Sequence, residues 1–321
     1  MQSATEKLKK IAVCTGAALL AFLLLFETLG TAYAYMLEPL TAILFGETGA
    51  YVAAEILWGI IYAASFILPA ILFLLMTKND KGGLNVKPQF PIKHIVPIIF
   101  ACVALIYACG FVNAMILPTD IAAVEIPNPK NLLEFLLLVF TTAVVPAVSE
   151  EFLFRKTILK ALLPYGEGFA IITSAVLFGL MHQNIRQIFY ATMAGILLGY
   201  VYSRTRSYLC VFLIHLTNNF ITTIESAAMG MLDEPYPIII SSVLISAMLI
   251  SGIVSIIFLV SKETKKKDIY TDGSFEKTYL PSPNYVSEEL DANPVKVFFT
   301  SPTVLIFTII SIVISIVTII I

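Results

Sequence analysis

Glu150 and Glu151 stand side by side, with Arg155 four residues after the second, in a chain that is otherwise almost continuously apolar. Two histidines follow within later hydrophobic runs, His182 and His215, and Asn219 lies one helical turn beyond His215. The chain has only three histidines, so two of them fall in this region. Inside a bilayer an ionisable group costs about 3 kcal/mol or more unless it is paired or hydrated, so such groups mark a functional site by default. Carboxylate, imidazole and carboxamide together suit hydrolysis, in which one group activates water and others hold the developing oxyanion.

Spacing assigns the groups different work. Glu151 and Arg155 are i,i+4 neighbours on one helical face and can form an ion pair that holds the helix. Glu150, about 100° around that helix, is left to face a cavity as general base or acid, flanked by the bulky Phe152, Leu153 and Phe154. Pro146 removes a backbone hydrogen bond just upstream and can bend the axis towards that cavity. His182 closes the run Phe178-Gly-Leu-Met, while His215 sits deeper, after Val211, Phe212, Leu213 and Ile214. Asn219 shares the face of His215 and Asn218 is expected to point elsewhere. The bland alternative is a hydrated pair of glutamates at a cytoplasmic helix end beside Lys156 and Lys160, and an interfacial His182. A buried imidazole and carboxamide in the run from Val211 onward count against it, since each would lose about 1–3 kcal/mol without a partner.

The elements that position these groups are membrane helices. Hydrophobic residues make up 58% of the 321 and charged residues 13%, against roughly 25% charged in a soluble domain. The expected fold is all-α: a polytopic bundle of about nine transmembrane helices, near 11–36, 51–76, 95–117, 132–149, 167–182, 187–203, 208–228, 235–260 and 303–321. With the amino terminus in the cytoplasm, every Lys and Arg except Lys130 and Arg186 falls on the inner side, as the positive-inside rule requires. Ala32-Tyr33-Ala34 after the first run resembles a signal-peptidase site, but the run is long for a signal peptide and is expected to remain as a span. Proline-bearing segments at 77–94 and 118–131 set off an amino-terminal group of helices, 1–131, from a functional core, 132–230. A carboxy-terminal part, 231–321, follows, with a polar cytoplasmic loop near 261–302.

The remaining polar residues read as structural. Cys14, Cys102, Cys109 and Cys210 lack metal or CxxC spacing and are expected as reduced core residues. Glu27 and Glu55 are expected at interfaces or in helix packing, His94 at a loop border, and Asn113 in a bond across helices. A net charge of −2 without a basic, aromatic-laced stripe argues against any nucleic-acid partner.

Glu150-Glu151-x-x-x-Arg155, Phe178-x-x-x-His182 and His215-x-x-x-Asn219 together resemble the three motifs of the CPBP family of intramembrane proteases. That family includes type II CAAX prenyl endopeptidases, Abi proteins and bacteriocin-immunity proteins. The resemblance implies endoproteolysis in a cavity open to the cytosolic side. Glu150 and His182 would activate water, His215 and Asn219 would stabilise the oxyanion, and Glu151, Arg155 and Phe178 would support them. The implied partners are the lipid bilayer and a protein or peptide substrate, membrane-anchored substrates included; the expected location is a prokaryotic plasma membrane. Glu150, His182 and His215 also make an acceptable zinc set, so the sequence admits either a divalent metal or none. Lack of His-Glu-x-x-His on one helix favours metal-independent glutamate chemistry. The competing reading is a non-catalytic scaffold or immunity protein built on the same helices. A proton-coupled transporter would call for inverted repeats, and none is evident.

Overall fold

The computed structural model describes residues 3–77, 94–117, 129–269 and 290–320, and all its regular structure there is helical. In hydrocarbon every backbone N–H and C=O must be satisfied within the chain, and uninterrupted helices do so. In order these are α1 (Ala4–Ala32), α2 (Glu38–Met76), α3 (Ile95–Ile116), α4 (Leu132–Leu138) and α5 (Val145–Glu151). Next come the short α6 (Lys160–Leu162), then α7 (Glu167–Met181), α8 (Ile185–Thr205), α9 (Tyr208–Met231), α10 (Tyr236–Ile269), α11 (Pro294–Phe299) and α12 (Pro302–Ile320).

Six helices among the described residues are long and apolar enough to cross a membrane: Ala4–Gly46, Gly49–Met76, Ile95–Ile116, Leu132–Tyr165, Tyr236–Ser261 and Pro302–Ile319. The expected spans near 167–182, 187–203 and 208–228 exist as α7, α8 and α9, but do not qualify on those grounds. α7 has only 15 residues, and α8 and α9 carry Arg186, Arg204, His215, Asn218, Asn219 and Glu225. The expected boundaries also shift. The first apolar run continues past residue 36 through a π-helical turn, Tyr33–Leu37, into the start of α2. It breaks at Gly46, whose φ of 66° and ψ of 179° suit glycine alone. The expected span 132–149 runs on to Tyr165. The loop segments 78–93, 118–128 and 270–289 lie outside the described residues.

That long segment is wound unevenly. Val139–Val144 and Phe152–Leu159 are π-helical, on either side of α5. Such wide turns inside α-helices are rare and concentrate at functional sites. Pro146 stands in the first turn of α5, directly after the first wide turn. There its missing N–H is tolerated, so the irregularity expected at the proline is spread over the turn before it.

α1 packs against α2 and α12, and α7 against α8. The α1–α2 contact is aromatic: Phe22 meets Phe66 at 4.6 Å between ring centroids, and Phe26 meets Tyr62 edge-on at 5.9 Å. Ile250, Ile253 and Val254 of α10 and Ile309, Val313 and Ile316 of α12 face outward. In water such rows would aggregate, whereas lipid tails solvate them. The four cysteines are free, and Cys14, Cys102 and Cys210 are buried. As expected, Asn113 bonds across helices, donating to the Arg186 carbonyl at 2.8 Å. Glu55 likewise serves helix packing, accepting from the Thr141 hydroxyl at 2.8 Å.

Candidate active site

α5 presents its two glutamates to different neighbours. Both are buried, and so is Arg155, which is 1% exposed. Glu151 Oε2 pairs with Arg155 Nε at 3.1 Å, the i,i+4 contact read from the spacing. Its other oxygen, Oε1, lies 2.8 Å from His215 Nδ1. A carboxylate only accepts, so His215 carries hydrogen on Nδ1 and Glu151 bridges the guanidinium and the imidazole. Arg155 also donates to the Gly195 carbonyl at 3.4 Å and lies over the Phe178 ring at 4.4 Å. This buried charge is thus answered by a carboxylate, a carbonyl and a ring face, while its Nη1 makes no hydrogen bond among the described residues.

Glu150 faces a cavity of about 440 Å³ that is also lined by Tyr62, Phe178, His182, His215, Asn218 and Asn219. Its Oε1 accepts from the Tyr62 hydroxyl at 2.5 Å. Its Oε2 lies 3.8 Å from His215 Nε2 and makes no hydrogen bond among the described residues. His182 caps the end of α7, and its Nδ1 is 2.8 Å from the Phe178 carbonyl. Since a carbonyl only accepts, Nδ1 carries the hydrogen and Nε2 keeps a lone pair. Phe178 meets both histidines edge-on, at 5.1 Å and 6.2 Å between ring centroids, and so sets their separation.

On α9, Asn219 donates to the Thr142 carbonyl at 3.1 Å and accepts from Asn218 at 3.1 Å. Asn218 was expected to point elsewhere. It lines the same cavity instead, because its amide chains the Tyr190 hydroxyl, 3.0 Å from its Oδ1, to Asn219. The Thr142 carbonyl belongs to the first wide turn, one place where a loosened helix exposes backbone to a side chain.

The structure thus gathers Glu150, Phe178, His182, His215 and Asn219 around one cavity, with Glu151 and Arg155 behind it. Among the described residues no three His, Cys, Asp or Glu side chains are grouped as they would need to be to hold a metal ion. Glu150, His182 and His215 therefore share a wall without converging as three ligands. Sequence reasoning missed Tyr62, Asn218, Tyr190 and Thr142. Tyr62 sits among Trp58, Phe66 and other apolar residues of a span, where a tyrosine reads as packing.

Over its described residues this is an all-helical, membrane-type protein whose cavity joins an acid, two histidines and a carboxamide. Residues 132–221 match the family model described as Type II CAAX prenyl endopeptidase Rce1-like, consistent with the CPBP resemblance of the three motifs. That model describes a protease family, and the matched segment contains all seven motif residues. No curated protein and no solved structure matches the chain.

Proposed function

We propose that the protein is an intramembrane endopeptidase that hydrolyses a peptide bond of a membrane-associated protein or peptide. The observation that carries this reading is Glu150: a buried carboxylate in a cavity, with one oxygen held and the other facing a histidine without a hydrogen bond. Water held between Glu150 and the lone pair of His182 Nε2 loses a proton to Glu150 as it attacks the scissile carbonyl carbon. His215 is oriented by its Nδ1–H on Glu151 so that Nε2, when it carries hydrogen, donates to the oxyanion. The second N–H of the Asn219 amide joins it. Donors of this kind, fixed in a water-poor site, are worth about 3–4 kcal/mol to a transition state. Glu150 then returns its proton to the leaving amine, and the tetrahedral intermediate collapses to acid and amine.

The accompanying topology is a nine-span protein of a prokaryotic plasma membrane, with the amino terminus in the cytoplasm. α7, α8 and α9 cross with their polar faces turned to the cavity. The deciding experiment compares new protein termini, by mass spectrometry, in cells carrying the native chain or Glu150→Gln at equal abundance. Termini present with the native chain and lost with the variant support proteolysis and name substrates. A chelator added to the same preparation reads metal dependence. Identical termini with a retained phenotype would turn the assignment to a binding or immunity role.

A further inference from the structure

The Glu150 hydrogen bond to Tyr62 comes from a helix far outside the matched segment. α2 and the 132–165 segment run side by side in the same direction and touch at matched heights. Glu55 meets Thr141, Gly59 meets Phe140 and Thr141, and Tyr62 meets Glu150. Positions 55, 59 and 62 are i, i+4 and i+7, one stripe of α2. At Gly59 an added Cβ would stand 3.4 Å from the Phe140 ring and 3.5 Å from the Thr141 methyl, so the side chains of the 132–165 segment lie against α2 one turn from the phenol. The Tyr62 ring is itself clamped by Phe66 at 5.0 Å, Phe26 at 5.9 Å and Trp58 at 6.3 Å. The hydroxyl is therefore aimed by two-helix docking and by a cage of rings, and it is not a loose tip that happens to reach a carboxylate.

We infer that Tyr62 is a positioning residue for Glu150: its hydroxyl holds Oε1 and leaves proton transfer to Oε2. This inference rests on the proposed role of Glu150 as base. The phenol donates because an ionised carboxylate can only accept, and a hydrogen bond to a charged acceptor is among the strong ones. With Oε1 occupied, the carboxylate cannot rotate its free oxygen away from the water site. Proton balance follows: one proton passes from water to Oε2 as the new C–O bond forms, and the same proton passes to the leaving nitrogen as the C–N bond breaks. The phenol keeps its own proton throughout. Tyr62 thus adds to the seven motif residues an eighth contributor, supplied by the amino-terminal helices.

The test uses the full chain in proteoliposomes as native protein, Glu150→Gln and Tyr62→Phe, with a substrate found by the terminus comparison. Glu150→Gln identifies the Glu150 carboxylate band in the infrared spectrum by its loss. Tyr62→Phe is expected to shift that band, to lower kcat by about 10- to 100-fold and to leave KM within about threefold, with an unchanged thermal midpoint. A packing role alone would not move the band. An unshifted band, or kcat within twofold of native while Glu150→Gln is inactive, overturns the role of Tyr62 and leaves the protease reading standing. Native-rate cleavage by Glu150→Gln would overturn both.

Discussion

At the scale of single residues, adjacency gives two glutamates opposite fates. One step along a helix is a turn of about 100°, enough to send Glu151 into the protein and Glu150 into the cavity. Glu151 is 0% exposed and bridges Arg155 to His215, so its charge is answered twice. Removing Arg155 leaves that carboxylate buried with only the imidazole. Arg155→Ala is expected to destabilise the fold by about 3–5 kcal/mol, read as a lowered thermal midpoint in detergent. Glu150→Gln, which preserves shape at a position on the cavity wall, should leave the midpoint near native while cleavage is lost. Glu150, Glu151 and the two histidines were legible because ionisable groups are so rare in these runs that each occurrence carries information. Tyr62 and Asn218 were not, since a tyrosine among phenylalanines and an asparagine beside another declare their partners only in three dimensions.

At the scale of elements, hydropathy alone located the helices but could not say how they are wound or joined. The segment through Glu150 was expected to stop near residue 149. It continues to Tyr165 with Glu151 and Arg155 paired to each other and Glu150 held by Tyr62, so these charges need not mark a helix end in water. The wide turns on either side of α5 leave no mark in composition, for they depend on which carbonyls find side-chain donors. The α7–α8 contact is equally invisible in a hydropathy profile and equally tight. A Cβ added at Gly179 would stand 2.6 Å from the Ile188 carbonyl oxygen and press on the Thr192 side chain. Backbone cannot yield as a flexible side chain can, so Gly179→Val should push the end of α7 away from α8. The expected cost is about 1–3 kcal/mol of stability, again as a lowered midpoint, with weakened cleavage because Phe178 and His182 ride on the displaced turn.

At the scale of the whole molecule, the cavity does not belong to the matched segment alone, because Phe22, Phe26, Trp58, Tyr62 and Phe66 form one of its walls. Topology is the property to measure here. Four of the six long apolar helices precede Asp233, which by themselves would return the chain to the side where it began. Crossings by α7, α8 and α9 as well make the number odd and place Asp233 opposite Ser3. In a chain with its native cysteines replaced, Asp233→Cys should react with an impermeant maleimide on intact cells and Ser3→Cys only after permeabilisation. Equal labelling of the two would support the smaller count. One closing contact bears on how the protein is made. Thr303 of α12 donates to the Val13 carbonyl of α1 at 3.1 Å, and Gly16 admits the α12 backbone at the same spot. α1 is synthesised long before α12, yet α12 braces it on the side that α2 leaves open. A nascent chain therefore carries its glutamates into the bilayer while α1, which supplies Phe22 and Phe26 to the cavity wall, is still held mainly by α2, and the order of translation leaves that wall one contact short until α12 has inserted.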